Sequence, residues 1–218
     1  MTPKAAFDNI ISRVECLLTL YAELDTGVVF KASVGERATL NDDVLRAALV
    51  MAVAALDRYV HDRVTKRIIQ AYKNRNLTHA QETFSIPVSI AITIAAKAEK
   101  AKDSKKQVRA ANIVRNEVQQ ILHSRPFQSW RDIEFAFALI GKTGIPGLIQ
   151  GQLKLATIKP LETSLAKINR TRNLIVHEGH LRRHKRGGKP SLLDIDAQTV
   201  RTAISTLKQL VDGLEAVV

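Results

Sequence analysis

The sequence from residue 41 to residue 72 reads NDDVLRAALVMAVAALDRYVHDRVTKRIIQAY. Asn41 followed by two aspartates is typical of a helix N-cap and an acidic first turn. Apolar residues then recur at helical spacing as far as Tyr72, so a helix of about thirty residues is predicted as the longest element of the fold. Its alanine-rich part, residues 47–55, allows another helix to approach closely, either from the same chain or from a second copy.

Further helices are predicted on both sides of this stretch. Residues 4–24 show an amphipathic pattern that stops before Gly27, whereas residues 26–38 fit either a short strand or an extended linker. Downstream helices are predicted at residues 87–102, 105–123, 128–140, 160–176 and 200–214, with a bend rich in glycine and proline at residues 141–147.

The composition favours packed helices over a sheet. Of the 218 residues, 45% are hydrophobic and 25% are charged, which is ordinary for a folded globular protein. Aromatic residues make up only 5%, while alanine, leucine, isoleucine and valine are abundant. We therefore expect an all-α fold with a long central helix, in which residues 1–39 form an N-terminal helix and connecting segment of the same domain as residues 40–218.

The charge of the chain predicts a polyanionic partner. Lysine and arginine outnumber aspartate and glutamate by 33 to 21, a formal net charge of +12. Such a field attracts nucleic acid or an anionic membrane. The longest apolar run, residues 47–56, is far shorter than the roughly 20 residues that span a bilayer. The N-terminus also lacks the pattern of a signal peptide, so we expect a cytoplasmic protein without a membrane partner.

A basic stretch near the end of the chain is the predicted phosphate contact. Residues 181–190 read LRRHKRGGKP. Flexible, clustered cations release counterions when they bind a polyanion, although a plain role in solubility fits the same residues. His180 and His184 are expected to be solvated here. The predicted RNA-binding residues are Arg182, Arg183, Lys185, Arg186 and Lys189.

Metal and nucleotide motifs are absent from the sequence. Cys16 is the single cysteine, so no intrachain disulfide can form, and its position among apolar residues predicts a core location. The histidines do not have the spacing of a zinc site, and the glycines of residues 141–147 do not form a phosphate-binding loop. We expect neither a metal nor a cofactor.

One helix carries residues that a structural role does not explain. Apolar residues from Leu161 to Val176 form a stripe, and Arg172 lies near its centre. A buried guanidinium is expensive unless it pairs with an acid or faces a cleft or subunit interface. Asn173 and His177 are four residues apart and share another face, about 100° from Arg172. The three line one pocket only through the long arginine side chain, an irregular helix end or a second protomer.

These residue types suit RNA cleavage. A histidine can transfer protons near neutral pH, and an arginine can stabilise the added negative charge of a pentacovalent phosphate. The ribose 2′-hydroxyl can attack the adjacent phosphate without a metal, leaving a 2′,3′-cyclic phosphate and a 5′-hydroxyl end.

The sequence of residues 172–177, RNLIVH, resembles the R-x4-6-H motif of HEPN ribonucleases, in which a polar residue often follows the arginine. From about residue 40 onward the chain is similar to the RiboL-PSP-HEPN branch. The resemblance implies a helical bundle, often dimeric with the motifs facing across the interface. It also implies a metal-independent endoribonuclease of toxin-antitoxin or phage-defence systems, with Arg172, Asn173 and His177 as catalytic residues. Asp57 lies where relatives carry an acidic residue and is a candidate partner for Arg172.

The expected partners are single-stranded RNA or tRNA, a second copy of the chain, and a cognate antitoxin or defence-system protein. Two other functions fit the same residues: an RNA- or nucleotide-binding module without chemistry, and an interaction subunit whose basic surface meets an acidic protein. Structural roles are open as well, because His177 suits a helix C-terminus and Asn173 can cap it. A shorter near-match, Arg75 to His79, occurs elsewhere.

Overall fold

The computed structural model describes residues 1–25, 34–83, 85, 87–104, 110–181 and 191–218. Within these residues the chain forms nine α-helices and no β-strand, which confirms the predicted all-α class. Leu181 and Leu192 form an isolated antiparallel bridge. The helices are α1 (Pro3–Asp25), α2 (Val34–Asn74), α3 (His79–Glu82), α4 (Val88–Ser104), α5 (Ala110–His123), α6 (Trp130–Ala138), α7 (Ile145–Gln152), α8 (Lys159–Glu178) and α9 (Ala197–Val217).

The long helix is present, but it does not begin where the sequence predicts. α2 starts at Val34, so Asn41 lies inside the helix, 92% buried, rather than at its N-cap. The two aspartates that follow have another role: Asp43 and Asp42 accept hydrogen bonds from Arg46 at 2.9 and 3.4 Å. An acidic pair that precedes an arginine by three and four residues thus resembles a capping signal without being one.

The described residues divide into two compact units. The first comprises Met1–Tyr59, Gln128–Trp130 and Gly144–Val218, and the second comprises Val60–Phe127 and Arg131–Thr143. The division of the chain at residue 39 stays a prediction. In the part of the chain that is described, no helix is long and apolar enough to cross a membrane.

In the first unit, α9 is the helix on which α1, α7 and α8 pack. The buried face of α1 consists of Phe7, Ile11, Val14 and Leu18. Cys16 lies on the opposite face and is exposed, so the prediction that it belongs to the core is wrong. Two residues beyond Val14, a side chain is rotated by about 200° around the helix and points away from the buried face.

The contact between α7 and α9 depends on a glycine. A Cβ atom at Gly213 would lie 2.7 Å from Cγ2 of Ile149, closer than carbon atoms approach in proteins, and 3.1 Å from Cδ1 of Leu153, which is a tight contact. The helices therefore meet at the backbone of α9, as closely packed helices with small residues do. Helix α7 itself was missed by the sequence analysis, which predicted only a bend over residues 141–147. The bend is present as positive φ angles at Gly141 and Gly144, and α7 begins immediately afterwards.

The second unit has its own apolar core. Val114, Val118 and Leu122 of α5 are buried, as are Ile133 and Phe137 of α6, and α4 packs on α5. Helices α5 and α6 bury residues at a spacing of three or four, as amphipathic helices do.

Candidate functional site

Helix α8 places the RNLIVH motif at its C-terminal end, as the sequence predicts. Pro160 lies in the first turn, where its missing N–H costs nothing, and Gly179 ends the helix in the left-handed conformation with φ of 60°. Residues 172–177 therefore form the last turns of the helix. The near-match from Arg75 to His79 has no such scaffold, since Arg75 follows the end of α2 with φ of 53° and His79 begins α3.

Arg172 occupies the apolar stripe of α8. Leu161, Leu165 and Ile168 are buried, and Arg172 continues their row half-buried. Its Nε atom is shielded from solvent and has no hydrogen-bond partner among the described residues. Its Nη1 atom donates to Oδ1 of Asn173 at 3.0 Å. The arginine thus lies on the apolar stripe, as the sequence predicts, but it is half-buried, and the side chain of Asn173 is its hydrogen-bond acceptor.

His177 lies one turn after Asn173, and both side chains are exposed. Val176 is also 46% exposed, so an apolar side chain borders the histidine at the surface. Among the described residues, no hydrogen bond joins His177 to Arg172 or Asn173. The structure therefore brings Arg172 and Asn173 into contact and leaves His177 on an accessible face of the same helix end.

The pairing of Arg172 with Asp57 stays a prediction. Asp57 is half-buried on α2 and has interactions of its own. The contact that the structure shows for Arg172 is the one to Asn173.

Asn169 is a residue of this surface that the sequence analysis missed. It lies three residues before Arg172 and four before Asn173, and its Nδ2 donates to the carbonyl of Gln128. Its Oδ1 and the Nε1 of Trp130 are buried without partners in the described chain. Unpaired buried polar atoms are costly and suit groups that a ligand satisfies. The sequence could have indicated this residue, because a polar side chain three and four residues before Arg172 and Asn173 lies on the same side of the helix.

His180, just beyond the motif, is 97% buried, so the prediction that it is solvated is wrong. Its Nδ1 accepts a hydrogen bond from Nε of Arg46 at 3.1 Å. Burial and the charge of Arg46 lower the pKa of His180, while Asp42 and Asp194 act in the opposite direction. The imidazole is therefore held neutral, because a protonated Nδ1 cannot accept this bond.

The predicted RNA-binding residues and His184 lie outside the described residues, which resume at residue 191. The two ends of that stretch are held together: Leu181 pairs with Leu192, and the N–H of Leu193 donates to the carbonyl of His180 at 2.8 Å.

A cavity of about 260 Å³ lies between α8 and α9, along the part of α8 that precedes the motif. Its lining includes Lys167 and Thr171 of α8 and Thr202 and Thr206 of α9. The hydroxyls of Thr171 and Thr206 donate to carbonyls of their own helices, and none of the motif residues lines the cavity. Among the described residues, no three histidine, cysteine or acidic side chains are grouped as a metal site.

A comparison with models of known protein families shows which family the chain belongs to. The family model described as RiboL-PSP-HEPN matches residues 8–218. The chain belongs to the RiboL-PSP-HEPN family. The match begins within α1, so the family extends further towards the N-terminus than the resemblance from residue 40 predicted. No curated protein and no solved structure matches the chain.

Membership of the RiboL-PSP-HEPN family confirms the resemblance seen in the RNLIVH motif and agrees with the all-α architecture. It indicates a ribonuclease or an RNA-binding module. The motif residues Arg172, Asn173 and His177 all lie within the matched range.

Proposed function

We propose that this protein is a metal-independent endoribonuclease that cleaves RNA by attack of the 2′-hydroxyl on the adjacent phosphate. The products are a 2′,3′-cyclic phosphate and a 5′-hydroxyl end. The observation that carries the proposal is the pairing of Arg172 with Asn173 on the last turns of α8, one turn from the exposed His177. The family supports the same assignment at the coarser level of a nuclease.

Arg172 stabilises the phosphate in this proposal. Its guanidinium has a buried Nε–H without a partner among the described residues and an Nη1 held by Asn173. Because charge-assisted hydrogen bonds strengthen as a phosphate gains negative charge, a held guanidinium stabilises the transition state more than the bound substrate. Asn173 is then a positioning residue, which orients the guanidinium through its Oδ1.

His177 transfers protons. It is exposed at the helix end, where RNA can reach it, and a histidine can both accept the proton of the 2′-hydroxyl and donate one to the leaving 5′-oxygen. The ribose supplies the nucleophile next to the phosphate, so the reaction needs positioning and proton transfer but no metal-bound water.

A second copy of the chain completes the proposed site. Arg172 and His177 are five residues apart, so at about 100° per residue their side chains leave the helix in directions that differ by about 140°. One helix end therefore does not direct both at one phosphate. Two copies that meet through the exposed face around Val176 and His177 would bring the motifs together, and the 46% exposed Val176 would contribute apolar area to that contact.

The substrate in this proposal is single-stranded RNA or tRNA in the cytoplasm. The net charge of +12 attracts the phosphate backbone, and the basic residues between 182 and 189 add cations that can contact phosphates. The biological role is that of a toxin or phage-defence effector, restrained by an antitoxin or another protein of the same system.

Cleavage assays with matched histidine variants test this function. Wild type, His177→Ala and His79→Ala are incubated in EDTA with end-labelled single-stranded RNA and tRNA. His79 is an exposed histidine of the near-match, so its replacement controls for loss of a surface imidazole. We expect cleavage by wild type and His79→Ala, and a loss of at least about 100-fold in His177→Ala. Equal cleavage by all three would refute the catalytic assignment, and RNA binding without cleavage by any would favour a binding module.

A further inference from the structure

The buried contact between Arg46 and His180 points to a function beside the motif. We propose that these two residues are positioning residues, forming a clasp that fixes the C-terminal turn of α8, which carries His177, and joins it to the segment that begins at residue 191. The consequence for RNA cleavage rests on the proposed function, whereas the clasp itself is a structural claim.

Arg46 connects three separate parts of the chain. Its Nε donates to Nδ1 of His180, its Nη2 donates to the carbonyl of Leu193 at 2.9 Å, and its Nη1 donates to Asp43. The arginine and the histidine are 95% and 97% buried. Water therefore cannot replace these bonds, and removing one partner leaves a buried charge or a buried acceptor unpaired.

The clasp reaches His177 through the helix end. The backbone N–H of His180 donates to the carbonyl of Leu174 at 2.9 Å, which closes the last turn of α8 around residues 175–179. His180 has φ of 56°, so it continues the left-handed turn that Gly179 begins. A residue held in this conformation needs surrounding contacts to stay there, and the Arg46 bond is the buried one. Loss of the bond would release the turn that contains His177.

The same contact joins the described residues on either side of the basic stretch. The carbonyl of His180 accepts a hydrogen bond from the N–H of Leu193. The bridge between Leu181 and Leu192 lies next to this bond. Arg46 itself binds the carbonyl of Leu193, so one guanidinium joins residue 180 to residue 193. The predicted phosphate-binding residues lie between these two positions in the sequence and outside the described residues.

The charges around His180 make the clasp sensitive to acid. Arg46 is the cation that faces the imidazole, while Asp42, Asp43 and Asp194 supply the negative charge nearby. Protonation of His180 removes the acceptor and places a second cation against Arg46. The pKa of His180 is lowered, as this geometry predicts, because the bond to Arg46 favours the neutral imidazole.

Two replacements of His180 separate the bond from the bulk of the side chain. In His180→Asn, Oδ1 can take the place of Nδ1 as the acceptor, and asparagine tolerates the positive φ. In His180→Leu, the acceptor is lost while an apolar side chain of similar size remains. Because leucine also disfavours the positive φ of residue 180, Arg46→Met is the control: it removes the donor and leaves residue 180 unchanged, and a role for the hydrogen bond predicts the same effect as His180→Leu.

Hydrogen exchange of the full-length chain, followed by mass spectrometry, measures the clasp without reference to RNA cleavage. In His180→Leu we expect exchange in peptides covering residues 174–181 and 191–195 to rise at least about tenfold, while α1 and α9 peptides keep their protection. In His180→Asn, exchange should stay within about twofold of wild type. Unchanged exchange in His180→Leu, or equal acceleration in both variants, would overturn the clasp.

RNA cleavage across a pH series gives the second readout. If the clasp positions His177, His180→Leu lowers kcat at every pH, whereas His180→Asn retains kcat near neutral pH and loses less activity than wild type in acid. A clasp seen by exchange but without effect on kcat would overturn the positioning role. Absence of cleavage by wild type would count against the proposed function and leave the exchange result to decide the clasp.

Discussion

Arg172 donates from Nη1 to Oδ1 of its neighbour Asn173 across 3.0 Å, and its Nε is buried without a partner in the described part of the chain. The pair lies one turn before His177, at the end of a helix that Gly179 closes. An arginine held by an amide rather than by a carboxylate keeps its full positive charge available. This arrangement explains why a guanidinium in an apolar stripe can be useful at a site that binds phosphate.

Arg172→Lys tests the planar guanidinium. Lysine keeps the positive charge but cannot hold Asn173 and a phosphate oxygen with the same fixed geometry, so kcat should fall at least about tenfold while RNA affinity changes little. Single-turnover cleavage and equilibrium binding measure the two quantities. Arg170→Lys is the matched control, because Arg170 is exposed on the same helix and should tolerate lysine. A similar small effect of both substitutions would show that charge alone suffices.

The stability of the protein should depend on pH through His180. Its pKa in the folded state lies below the ordinary value of 6.5, so between these two values the unfolded chain binds a proton that the folded chain does not. The free energy of unfolding should therefore fall as the pH drops below 6.5 and until it passes the folded-state pKa. Denaturant unfolding at several pH values measures this slope.

The control for that pH series is a second histidine variant. His180→Asn should flatten the decline in acid, whereas His79→Asn, at an exposed position, should keep the wild-type slope. An identical decline in wild type and His180→Asn would show that His180 does not cause the loss of stability.

Gly213→Ala tests the close packing of α7 on α9. The added methyl group would meet Ile149 at 2.7 Å, and overpacking of this kind costs about 1–3 kcal/mol. Gly147→Ala is the control on α7, where nothing lies within 4 Å of the added atom, and it should leave stability unchanged or raise it by up to about 1 kcal/mol. Thermal unfolding measures the stability of both variants. Equal stabilities would contradict the close packing of α7 on the backbone of α9.

The salt dependence of RNA binding tests whether the basic stretch contacts RNA phosphates. Replacing its five cations with glutamine should weaken binding and make the slope of log affinity against log salt shallower, by up to about 0.7 for each phosphate of a single strand that is no longer neutralised. A matched control replaces three arginines and two lysines at exposed sites elsewhere: Arg115, Arg131, Arg201, Lys97 and Lys154. An unchanged slope in the variant of residues 182–189, or the same change in both variants, would show that these residues do not contact RNA.

Local patterns account for what the sequence could predict. The apolar spacing of α1, α8 and α9 and the glycine that ends α8 are visible in short windows, and so is an arginine within an apolar stripe. The sequence did not indicate α7 because Gly147 and Gly151 lower helix propensity, and packing against α9 compensates for this in the fold.

Interactions between distant residues could not be predicted in this way. Arg46 and His180 are 134 residues apart, and nothing near either residue indicates that they meet. The burial of His180 follows from this interaction. For the same reason, the RNLIVH motif does not show how a second copy would complete the proposed site, because that depends on the surfaces that meet.

The chemistry of the RNA ends tests the central claim most directly. Wild-type protein is incubated in EDTA with an end-labelled RNA and with the same RNA carrying a 2′-deoxyribose at the cleaved position. We predict 2′,3′-cyclic phosphate and 5′-hydroxyl ends from the first, no cleavage at the substituted position of the second, and neither product with His177→Ala. Cleavage of the deoxy-substituted position, or products with 5′-phosphate ends, would contradict attack by the 2′-hydroxyl.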